Sequence, residues 1–66
     1  MWIVVWNDER LQEFEESFEN VREATYFMED LPNNAQLYYE DDVQVKRTLW
    51  YSKHQILKTR RLMYEL

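Results

Sequence analysis

The side chains that could do chemistry here are one histidine, thirteen carboxylates, eight basic groups and two serines, with no cysteine and no glycine. Covalent catalysis needs an activated thiol or hydroxyl. Ser17 and Ser52 are the only serines, and each is better placed to cap a helix than to attack a substrate. Without glycine, no nucleophile elbow, phosphate-cradling loop or dinucleotide fingerprint can form. His54 stands beside Lys53 at the expected start of a helix, with nothing nearby in sequence to orient it as a general base. The expectation is a protein without enzymatic activity and without a cofactor or metal.

The carboxylates are unevenly spread. From Asp8 to Asp42, twelve acids stand against Arg10 and Arg22, a net of −10; from Lys46 onward six bases stand against Glu65, a net of +5. Such asymmetry bears on partners and association rather than on fold. Glu40-Asp41-Asp42 lacks the ligand spacing and central glycine of a calcium loop. Asp41 or Asp42 with Gln44-Val45-Lys46 resembles the acid and Gln-x-Lys of metal-dependent nucleases, where carboxylates hold Mg²⁺ and the lysine orients water. In those sites the acid comes from a neighbouring strand, so the two-residue separation here argues against the match.

Two surfaces remain as candidates for binding. Glu13, Glu15, Glu16, Glu19, Glu23, Asp30, Glu40, Asp41 and Asp42 could be a solvated face, the ordinary use of charge, or could present carboxylates to a basic site on a host protein. A surface of that kind imitates phosphates. The basic segment of Lys46, Arg47, Lys53, Lys58, Arg60 and Arg61 is interleaved with Trp50, Tyr51 and Tyr64, types that pair with phosphate and stack on bases. That makes a nucleic-acid or nucleotide-ligand binder the alternative, disfavoured because the acidic remainder repels a nearby polyanion. In size, acidity and lack of catalytic residues the chain resembles the small inhibitors that phages and mobile elements encode against host defence or nucleic-acid-processing enzymes.

These residues need elements to position them. Sixty-six residues make one small domain, able to bury only about 60% of its unfolded surface, so oligomerisation is the expected supplement. Trp2 to Trp6 is β-branched and aromatic, a strand expected to be central and covered on both faces. Residues 8 to 31 allow one long helix, since Leu11, Phe14, Phe18, Val21, Thr25 and Met28 fall at a three-to-four spacing. The preferred reading is a strand over 10–15 and a helix from Phe18 to Leu31, capped by Ser17 and ended by Pro32, because its apolar arc is tighter. Strands over 36–39 and 43–51 follow. With no glycine, any positive φ in the turns is expected at Asn or Asp.

Ser52 with Gln55 forms a capping-box pattern, opening a C-terminal helix that is apolar on two sides. The predicted fold is α+β, an antiparallel sheet of about four strands in the order ββαββ, with one packing helix and a C-terminal helix. The predicted core is Ile3, Val5, Leu11, Phe14, Val21, Ala24, Phe27, Met28, Leu31, Leu37, Val43, Val45 and Leu49. Trp50, Tyr51, Arg60, Arg61, Leu62, Tyr64 and Leu66 are the predicted oligomer or ligand contact, in a homodimer. The absence of cysteine suits the cytoplasm, and the longest apolar run is too short to span a membrane.

Overall fold

The computed structural model describes residues 1–55 and 58. It comprises β1 (Trp2–Asn7), β2 (Glu13–Phe18), α1 (Val21–Met28), β3 (Gln36–Asp41) and β4 (Lys46–Ser52), and residues 53–55 and 58 are helical. The strands form one antiparallel sheet in the order β2-β1-β3-β4. The α+β architecture is the predicted one, and residues 8 to 18 supply the turn and second strand of a hairpin with β1 rather than a long helix.

β1 lies between β2 and β3, as its continuous apolar run implies. Its pleat sends Trp2, Val4 and Trp6 to the face that carries α1, and Ile3 and Val5 to the opposite face, on which no other described strand or helix packs and which is called the open face below. On the helix side Val4, Ala24, Met28, Ala35 and Leu37 form a fully buried cluster, ringed by Trp2, Trp6, Phe18, Phe27 and Leu31. Val4 and Ala35 are core residues that the sequence reading omitted. Each large buried aliphatic is worth roughly 1.5–3 kcal/mol. Ile3 is buried on the other face, while Val5 beside it is only partly covered.

Strand boundaries moved several expected core residues into solvent. β2 starts at Glu13 rather than Arg10, so Leu11 falls in the preceding turn, 83% exposed. β4 starts at Lys46 rather than Val43, because Asp41 pairs with Lys46 across a four-residue turn; Val43 and Val45 are 91% and 76% exposed there. Phe14 sits on an edge strand and is half-exposed, though its ring stacks on Trp6 at 5.7 Å. Val21 shares the arc of Ala24 and Met28 but is the first residue of α1, and there it is 42% exposed. Leu49 points to the open face of the edge strand β4, at 52% exposure.

The helix is shorter than predicted at both ends. Asn20, in extended conformation, is its N-cap, and the Asn20 side chain accepts the Arg22 N–H at 2.7 Å. Ser17 instead belongs to β2, paired with Ile3. The helix stops at Met28, four residues before Pro32. Positive φ falls at Leu11 (63°) and Val45 (51°), not at Asn or Asp. The aspartates serve those turns differently. Asp8 Oδ1 accepts the N–H groups of Arg10 and Gln12, both at 2.9 Å, and Asp41 Oδ1 accepts those of Val43 at 2.8 Å and Gln44 at 3.3 Å. With each aspartate anchoring a turn's start, the left-handed position passes to an apolar residue three or four places on.

The expected capping box is present in both halves. Ser52 N–H donates to Gln55 Oε1 at 2.9 Å, and Gln55 N–H donates to Ser52 Oγ at 3.3 Å. Lys53 ties the chain after β4 to the connection between α1 and β3. Its N–H donates to the Ala35 carbonyl at 2.9 Å, and its Nζ donates to the Leu31 carbonyl.

Candidate functional site

The pleat and register divide the predicted acidic residues among three places. Glu13, Glu15 and Glu16 line the edge strand β2, the first two on the open face and Glu16 on the helix face. Phe18 ends β2 opposite Trp2, and Met1 pairs with Glu40 through backbone bonds of 2.8 and 2.9 Å. Glu19, Glu23 in the first turn of α1, and Glu40, Asp41 and Asp42 therefore gather at one end of the sheet. Asp30 follows α1 at the opposite end, near which Glu13 pairs with Asn7. Among the described residues, Glu13, Glu16, Glu19, Glu23, Asp30 and Asp42 have no ion-pair partner.

Glu15 and Glu40 do. Arg47 donates to Glu40 on the neighbouring strand (Nε–Oε1, 3.2 Å) and to Glu15 on β2 (2.8 Å). Between β4 and β2 lie β3 and β1, a separation of about 14 Å in a flat sheet. The contact exists because the sheet's twist curls these corners together, making the open face concave along that diagonal. Ile3 sits at the middle of this face, opposite Ser17 on one side and Tyr38 on the other, and is buried. Hydrogen bonding to Glu15, then to Glu40, raises the Arg47 pKa above its ordinary value. The sequence carried no signal for this bridge, since its three members are 7 and 32 residues apart.

On the helix face, β3 and β4 carry aromatic rings that α1, packed chiefly on β1 and β2, leaves uncovered. Trp2 meets Tyr39 at 5.0 Å and Trp50 at 5.3 Å, both edge-on, and Trp50 meets Tyr51 at 6.1 Å. A register shift puts these last two residues on the same face: Tyr38 pairs with Leu49 and Leu37 with Tyr51, leaving Trp50 as the bulged residue. Tyr39, Trp50 and Tyr51 remain exposed. Trp50 and Tyr51, predicted as a contact, are thus grouped with Trp2 and Tyr39 within the fold; alternation in the first six residues would have put Trp2 on one face with Val4 and Trp6, but nothing in the sequence placed Tyr39 beside it. Arg60, Arg61, Leu62, Tyr64 and Leu66 lie outside the described residues.

As for chemistry, His54 is exposed in the first helical turn after β4. Asp41 has one carboxylate oxygen committed to its own turn. Among the described residues no three His, Cys, Asp or Glu side chains are grouped to hold a metal, and no helix is long and apolar enough to cross a membrane. No family model, curated protein or solved structure matches this chain.

Proposed function

We propose that this chain is a small acidic binding module without enzymatic activity. In this reading it acts in the cytoplasm as a phage- or mobile-element-encoded inhibitor that occludes a basic site on a host defence or nucleic-acid-processing enzyme. The observation that carries this is the set of carboxylates on β2 and at the Glu19–Asp42 end, exposed or half-exposed and mostly without basic partners among the described residues. Surface charge that is not neutralised internally remains available to steer and hold a partner of opposite sign. The alternative, a nucleic-acid or nucleotide binder using the basic aromatic segment, is supported by the exposed Trp50 and Tyr51. It is weakened by Arg47, whose guanidinium is engaged by two glutamates.

The test is capture of partners from a host lysate with the tagged protein, at low and high salt. A single protein that releases with salt is expected. The double variant Glu19→Lys with Glu23→Lys should abolish capture while leaving the circular dichroism spectrum intact, and Asp30→Lys, at the other end of the sheet, should weaken it less. Recovery of nucleic acid in place of a protein would overturn the reading.

A further inference from the structure

The two edges of this sheet are unlike each other. An unpaired edge strand invites another strand to add, and proteins commonly block it with charge. β2 is blocked in that way, with Glu13, Glu15 and Glu16 among its six residues. β4 has charge only at its start, in Lys46 and Arg47; the run Thr48-Leu49-Trp50-Tyr51-Ser52 has none. Three consecutive large apolar side chains there are exposed, Leu49 on the open face and Trp50 and Tyr51 on the helix face. Nor does the described chain after β4 turn back along this edge. Lys53 is held at Ala35 and Leu31, beside the connection from α1 to β3.

We infer that β4 is a self-pairing edge, joining antiparallel to β4 of a second copy about a two-fold axis at Leu49 to make a continuous eight-stranded sheet. The register is self-complementary. With Leu49 facing its own copy, Thr48 meets Trp50 on the helix face; beyond the bulge the pairing skips one residue, so Arg47 meets Ser52 on the open face, and no like charges stand opposite within β4. A two-fold axis normal to the sheet keeps both α1 helices on one side, and the aromatic groups of Trp2, Tyr39, Trp50 and Tyr51 from each copy adjoin across the centre of that side. The bulge at Trp50 interrupts one step of the outer ladder, and the burial of Leu49, Trp50 and Tyr51 supplies the remaining attraction.

The other edge combinations are poorer. β2 against β2 about an axis at Glu15 or Glu16, the two central residues, sets that glutamate opposite its own copy, a repulsive pair. β2 against β4 looks complementary in charge, but Arg47 and Glu15 already satisfy each other within one molecule at 2.8 Å. That contact is also heterologous, so it would repeat into a ring or a filament rather than end at a dimer.

Sedimentation velocity over a wide concentration range tests the inference, with amide exchange on the same samples. The expected result is a dimer that does not grow further, with β4 amides protected at high concentration and released on dilution while those of β2 do not change. Leu49→Lys places two ammonium groups at the axis and should weaken dimerisation at least about tenfold. Because Leu49 is exposed in the monomer, its circular dichroism and urea midpoint in dilute solution should be unaltered. Phe14→Lys on the opposite edge should leave the dimer intact. A monomer at every concentration up to millimolar, a dimer that survives Leu49→Lys, or growth into polymers would each overturn the assignment. So would β4 exchange that is independent of concentration, a readout that holds even if a variant fails to fold.

Discussion

Arg47 is the residue through which the acidic and basic halves of the sequence meet within the described fold. Exposed ion pairs are ordinarily worth up to about 1 kcal/mol, and this side chain is 40% exposed. Its further contribution is to bridge the concave face on which Ile3 lies, a packing role that an arginine stem can perform. Arg47→Ala should therefore lower stability by about 1 kcal/mol in urea denaturation, with the difference shrinking at high salt. Arg47→Lys should not restore it, because a lysine cannot present separate N–H groups to two carboxylates at fixed angles. The pKa of Arg47 is raised on folding, so its stabilising effect is complete below the unfolded value and is lost only as pH climbs through the folded one. That window lies beyond neutral solution, and the arginine's own ionisation adds no pH dependence there.

At the scale of elements, the two hairpin turns show what a chain without glycine does instead. Val45 is β-branched, and a left-handed backbone at such a residue costs on the order of 1–3 kcal/mol. Val45→Asn should raise the melting temperature, by an amount equivalent to about 1 kcal/mol, since asparagine tolerates this region and the valine side chain is nearly all in solvent. A fall would mean that the valine side chain contributes more than its backbone costs.

The same turns explain which parts of the fold were legible in the sequence. Element types followed from the β-branched run of β1, the amphipathic arc around Ala24 and Met28, and the capping box of Ser52 with Gln55, all signals within a few residues. Boundaries did not follow. Ser17 and Asn20 are both good caps, and only the pairing of Ser17 with Ile3 assigns the first to the strand. Val43 and Val45 read as strand by propensity, yet pairing of Asp41 with Lys46 leaves them in the turn. The acidic set was legible as a list of residues. Its distribution over β2 and two ends of the sheet was not, because it depends on strand order.

For the whole molecule, repulsion among carboxylates without partners acts against a small core. The formal net charge is −5, and Glu13, Glu16, Glu19, Glu23, Asp30 and Asp42 have no ion-pair partner among the described residues. Screening should therefore relieve more repulsion than it removes attraction. Raising salt from about 0.01 M to about 0.5 M, which shortens the Debye length from roughly 30 Å to below 10 Å, should increase the melting temperature. A decrease would mean that attractive pairs dominate the electrostatics of the fold.

Trp2 and Trp50 also have an optical consequence. Two indole rings 5.3 Å apart and inclined at 71° are close enough for their electronic transitions to mix. Such coupled chromophores generate paired bands of opposite sign in the far ultraviolet, superimposed on the signal of the peptide backbone. The helix content inferred from a circular dichroism spectrum would then be distorted by two side chains. Replacing Trp50 with phenylalanine would change the spectrum without changing the secondary structure, so the same pair reports on whether β1, β3 and β4 are assembled.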